Sequence, residues 1–151
     1  LEAAWETAER IGRFVGLSPQ VEPGLSEVDS GQAAGLPLGV VLAGGPVPIP
    51  STSAIFTPFD GGESYADMHM RTVKALNYLV EAAKGLTIAV VTHPGPIQSF
   101  LLAFLRLAIQ QRDQLGLSCE PASLHHLQRD HAGYKEIVRL NDTAHLFKMG
   151  K

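Results

Sequence analysis

The amino-acid sequence predicts an α/β fold, a three-layer α/β/α arrangement in which helices cover both faces of a mostly parallel central sheet. Three observations carry that prediction. Between residues 64 and 111 the pattern runs helix, strand, helix. The strand, "LTIAVVTH" at residues 86 to 93, is apolar without alternation, as in a strand buried on both faces. The segment after it, Ile97 to Gln111, is apolar nearly all round and needs cover on every side. Elements of these kinds in this order stack as layers around a parallel sheet.

Each element has its own local warrant. Ala4, Trp5, Ala8, Ile11 and Val15 recur at helical spacing, and Gly16 with Pro19 stops the helix. Its start has no Ser, Thr, Asp or Asn to accept the first free N–H groups, so the chain reads as beginning inside an element, as a fragment would. Residues 20 to 28 read as short extended pieces. Gly31 to Pro58, rich in Gly and Pro, reads as a long irregular excursion of the kind that covers a ligand site. Ser64 is the N-cap of a helix whose apolar face is Tyr65, Met68, Val73, Leu76, Leu79 or Val80, and Ala83, ending near Lys84 and Gly85. After the strand, Pro94-Gly95-Pro96 reads as barring both further strand and immediate helix. Ser123–Gln128 and Tyr134–Leu140, separated by "RDHAG", read as a closing β-hairpin with a Gly turn.

Composition excludes several function classes. With 45% hydrophobic and 18% charged residues over 151 positions, the chain has the balance of one globular domain, residues 1–151. A net charge of -3 with scattered Lys and Arg offers no footprint for nucleic acid or an anionic membrane. Cys119 is alone, no Cys/His spacing suits zinc, and no signal-peptide pattern opens the chain, which points to a reduced, cytoplasmic setting. The greasiest stretch, Ile97 to Ile109, is interrupted by Gln98, Ser99 and Arg106 and falls short of the ~20 apolar residues of a membrane span.

Two side chains stand out as chemistry-bearing. In open α/β sheets ligands bind beyond the carboxyl ends of the strands, where His93 falls, and the helix start that follows favours an anion. An imidazole beside a helix N-terminus is a sensible phosphate cradle, although Pro94 contributes no N–H and a strand-end His also serves as an ordinary hydrogen-bonded core residue. Glu27 in "LSEVDSG" precedes the Gly-rich excursion and suits a proton donor at a cleft mouth; it equally suits a solvated surface acid. His125, His126, His131 and His145 have no zinc-site spacing with a partner.

Five pieces in order, "ETAERIG", "LSEVDSG", "GGESYADMHMRTVKAL", "IAVVTHPGPIQSFLLAFL" and "LNDTAHL", resemble the histidine phosphatase superfamily, the phosphoglycerate mutase-like family, over nearly the whole chain. The resemblance implies phosphomonoester hydrolysis through a phosphohistidine, with no metal or other cofactor and a small phosphorylated substrate. The family's nucleophile is a histidine in an Arg-His-Gly motif on its first strand. The resemblance assigns His93 to the second histidine, which stabilises the transferring phosphoryl group. It assigns Glu27 to the acid that protonates the leaving oxygen and then activates water, and Gly95 to phosphate binding.

Three departures qualify the resemblance. No Arg-His-Gly occurs in the 151 residues, Ala3 stands where the family carries a phosphate-binding Arg, and Pro94 stands where a Gly commonly follows the second histidine. The expectation is therefore a C-terminal portion of such a domain, lacking the N-terminal strand and inactive alone. The alternative is a non-catalytic relative that binds a phosphorylated ligand or a protein partner. A sheet without its first strand would be marginal, aggregation-prone, or completed by another chain, a homo-oligomer included.

Overall fold

The computed structural model describes residues 2–36 and 55–147. The chain divides into two compact units, Leu1–Leu115 and Gly116–Lys151.

The first unit is helical. Helix α1 spans Glu2–Val15 and ends as expected, with Gly16 at φ 73° and the Leu17 N–H donating to the Gly12 carbonyl at 2.9 Å. Its apolar stripe is not buried in the way its periodicity suggests. Within α1 only Gly12 is buried, and Ile11 and Val15 of the stripe are 43% and 54% exposed. A 3-10 turn at Pro23–Leu25 follows, where the sequence suggested extended pieces, and another at Gly31–Ala33 opens the Gly/Pro-rich excursion. Most of the Gly/Pro-rich excursion, residues 37–54, lies outside the described residues.

Helix α2, Tyr65–Ala82, begins on the expected cap. The Asp67 N–H donates to Ser64 Oγ at 3.1 Å and the Ser64 N–H donates to Asp67 Oδ2 at 3.1 Å, a reciprocal capping box. Its buried face is Met68, Thr72 and Leu76, so Thr72 rather than Val73 lies inward. Thr72 is fully buried because its hydroxyl donates to the Gly24 carbonyl at 3.2 Å, which removes the penalty of an unpaired hydroxyl. Helix α3, Pro94–Phe104, packs on α2 and buries Leu101 and Leu102 to 1% exposure each. Each such apolar side chain contributes roughly 1.5–3 kcal/mol. Ile55 and Phe59 extend this core, and the Phe59 ring meets Tyr65 edge-on at 5.6 Å. The Arg112 guanidinium, on the 3-10 turn Ile109–Asp113, lies 3.8 Å from the centre of the Tyr65 ring, over its face.

Three local readings differ from the structure. The Pro-Gly-Pro does not delay the helix: Pro94 is its first residue, because N1 is where a missing N–H is harmless and a fixed φ is helpful. The helix also stops at Phe104 rather than continuing to Gln111, with Arg106 at φ 59° breaking the run. Residues 87–93 are not paired as a strand among the described residues. A doubly buried parallel strand needs a neighbour on each side to take its N–H and C=O groups. The one sheet among the described residues lies in the other unit.

That second unit is the expected hairpin. Strands β1, Leu124–Arg129, and β2, Lys135–Asp142, pair antiparallel, with Leu127 opposite Ile137 and Gln128 opposite Glu136. Asp130 builds the turn: its Oδ1 accepts the N–H groups of Ala132 at 2.9 Å and Tyr134 at 2.8 Å, and Gly133 sits at φ 87°. A short helix α4, Ala144–Phe147, follows. No helix among the described residues is long and apolar enough to cross a membrane.

Candidate active site

The three residues singled out from the sequence meet at one end of α3. His93 is its N-cap, with extended backbone at φ -115° and ψ 165° and no side-chain capping bond. Its imidazole is half-buried and has no hydrogen-bond partner among the described residues. Two residues on, the Gly95 N–H donates to Glu27 Oε2 at 3.1 Å, and Glu27 Oε1 accepts its own neighbour's N–H, that of Val28, at 2.9 Å. The acid from "LSEVDSG" is thus seated on the helix start that follows the histidine.

Residue types at the helix start dictate this seating. Pro94 and Pro96 carry no N–H, and the Ile97 N–H is engaged with the His93 carbonyl at 3.2 Å, so Gly95 supplies the one donor of the first turn. It must be glycine. A Cβ at position 95 would lie 2.1 Å from Glu27 Oε1 and 2.9 Å from Met68 Sδ. The same donor was read from the sequence as facing a phosphate. A phosphate at Gly95 would have to take that N–H from Glu27 or share it.

The loop that carries Glu27 is tied down from three sides. The Thr92 hydroxyl, next to His93, donates to the Leu25 carbonyl. Arg71 on α2 donates through Nη1 to the carbonyls of Gly24 at 3.0 Å and Ser26 at 2.8 Å, and through Nη2 to that of Glu27 at 3.0 Å. Its Nε reaches Glu63 Oε2 at 2.9 Å, and a second contact joins Nη2 to Glu63 Oε1. Glu63 in turn accepts the Asp29 N–H at 2.9 Å. The guanidinium of Arg71 holds the Glu63 carboxyl below its ordinary value against the opposing effect of burial, with the Asp29 N–H adding to the lowering.

The stretches 29–31 and 60–63 cross in close contact on the same side. The Gln32 N–H donates to the Asp60 carbonyl and the Glu63 N–H to the Asp29 carbonyl, both at 2.9 Å. A Cβ on Gly31 would sit 2.1 Å from the Asp60 oxygen and one on Gly62 2.1 Å from the Asp29 oxygen, so the crossing needs glycine at both positions. Beside this crossing lies an open pocket of about 510 Å³ lined by Glu27, Asp29, Glu63 and Arg71 with Pro23, Ser26, Gly61 and Gly62.

Sequence reading missed Arg71, Glu63 and Thr92. The signal available was the adjacency of Glu63 to the Ser64 cap, which places a carboxylate just ahead of α2, and Arg71 two helical turns later. Among the described residues no group of three or more His, Cys, Asp or Glu side chains is gathered as a metal ion would require.

The chain belongs to the histidine phosphatase superfamily (branch 1), whose family model matches residues 1–143. Solved structures agree on a phosphoglycerate mutase-like α/β fold. A mycobacterial glucosyl-3-phosphoglycerate phosphatase in complex with inorganic phosphate is 24% identical, with a TM-score of 0.73 over 93% of this chain and 73% of that one. The same protein with VO3 is 23% identical, with a TM-score of 0.75 over 93% of this chain and 72% of that one. YhfR of Bacillus stearothermophilus is 18% identical, with a TM-score of 0.76 over 95% of this chain and 71% of that one. No curated protein matches the chain in sequence.

Proposed function

We propose that the chain carries the acid–base and phosphoryl-stabilising part of a phosphomonoester hydrolase site that works through a phosphohistidine. One observation carries this reading: the Glu27 carboxylate lies 3.1 Å from the Gly95 N–H, at the helix start directly behind His93. His93 would donate to a non-bridging phosphoryl oxygen, where charge builds as the phosphorus–oxygen bond breaks. Glu27 would protonate the departing alkoxide and afterwards take a proton from the attacking water. The open pocket beside Glu27 would receive the leaving group. Support comes from family membership and from the phosphate and vanadate bound by a neighbour of the same fold. The substrate class is a small phosphomonoester.

A second reading is a phosphate-binding or partner-binding relative without turnover. It is favoured by Ala3, Pro94 and the single first-turn donor already held by Glu27. The two separate in one assay. The 151-residue chain is expected to leave 4-nitrophenyl phosphate intact. A version of the natural protein carrying an Arg-His-Gly strand upstream is expected to hydrolyse it and to lose activity with His93→Ala and Glu27→Gln. Activity of the 151-residue chain that depends on both residues would mean another side chain is the nucleophile. An upstream-extended protein that is inert would leave the binding reading.

A further inference from the structure

We propose that Arg71 and Glu63 form a positioning pair that sets where the Glu27 carboxylate sits, and that Arg71 is not itself a phosphate ligand. This rests on the reading of Glu27 as the proton donor. Its geometric part stands independently of that reading.

A guanidinium has five N–H donors in a fixed plane, and here the whole fork is used. Three backbone carbonyls, those of Gly24, Ser26 and Glu27, and both oxygens of Glu63 take its Nε, Nη1 and Nη2. The carbonyls lie 44 to 47 residues away in sequence, so the contact fixes one segment against another rather than a local turn. Glu63 cancels the Arg71 charge and, by accepting the Asp29 N–H, grips the loop on the far side of Glu27. The backbone is therefore held immediately before, at, and two residues after the acid. With its donors committed and its charge paired, Arg71 has little left for an incoming phosphate. Its consequence is felt at Gly95, where a displacement of about 1 Å in the loop would break the 3.1 Å contact with Glu27.

The Gly95 amide is therefore the reporter. Hydrogen exchange and the pH-dependent NMR shift of that amide are to be compared in the wild-type chain, Arg71→Lys, Arg71→Met and Glu63→Gln, with Met68 and Leu76 amides of α2 as internal controls. Expected in Arg71→Met is a gain in Gly95 exchange of about tenfold or more, with the α2 controls unmoved. The Gly95 shift should also stop following ionisation of Glu27. Arg71→Lys should not rescue either readout, because a single ammonium cannot span three carbonyls and a carboxylate. Glu63→Gln should show a smaller change in the same direction. If Arg71→Met fails to fold, Arg71→Lys and Glu63→Gln decide. Unchanged Gly95 behaviour in the folded variants, or protection lost only together with the α2 controls, would overturn the proposal and leave Arg71 a general structural tie. A failed role for Glu27 in turnover would appear only in the Glu27→Gln assay above, with the Gly95 readouts unaffected.

Discussion

At the scale of single residues the site is governed by who owns each hydrogen-bond donor. Gly95 owns the one free N–H in the first turn of α3, and Glu27 occupies it. Gly95→Ala is expected to destabilise the first unit by roughly 1–3 kcal/mol, because the new Cβ forces the Glu27 carboxylate and Met68 sulfur aside. Glu27→Gln, which keeps an acceptor oxygen for the Gly95 N–H, should lose less. Urea midpoints of the two variants against the parent check the order. A Gly95→Ala chain as stable as the parent would mean that the acid is not seated there. Glu27, His93 and Gly95 were legible as candidates from position and resemblance. Arg71 and Glu63 were not, because Arg71 bonds distant backbone carbonyls and Glu63 a distant backbone N–H, and a main-chain group carries no residue type for a pattern to detect.

Among the elements, those specified by local chemistry were legible and those specified by a neighbour were not. The Ser64 cap and the Asp130–Gly133 turn are written in residues that touch their own backbone, and both stand where the sequence places them. Ser64→Ala is expected to cost about 1 kcal/mol. It should also raise hydrogen exchange in the first turn of α2, and an unchanged thermal midpoint would show the capping box to be redundant. The buried faces were harder to read. Thr72 is inward because the Gly24 carbonyl awaits it, and α1 leaves Ile11 and Val15 of its apolar stripe exposed, neither of which periodicity reveals. The Pro-Gly-Pro was misread because proline breaks a helix in its middle and begins one at its end.

At the scale of the whole molecule, acid acts on both units in the same direction. Burial lowers the pKa of His69 and of His125 from the ordinary 6.5. The Nδ1 of His69 is buried without a partner among the described residues, so a proton there has no acceptor. With the folded value below the unfolded one, each contribution is present above about pH 6.5 and is lost as pH falls through the folded value. Glu63, lowered by Arg71, adds stability above its ordinary 4.5 that is lost on further acidification. Melting temperature should therefore decline from pH 7.5 to 4 with no intervening rise, and a maximum near pH 5 would refute the assignment. The extended segment after α2 adds a different liability. Leu86 is 77% exposed and Ile88 and Val90 are 38% exposed each, in a stretch with strand-forming side chains and no strand partner among the described residues. Unpaired apolar edges of this kind template association between chains, and a charge placed on them blunts it. Val90→Lys should thus reduce concentration-dependent association, measured by sedimentation velocity between low and high micromolar protein, while leaving the α2–α3 core amides protected. Association that is equal in the variant and the parent would place the sticky surface elsewhere, on the exposed apolar face of α1.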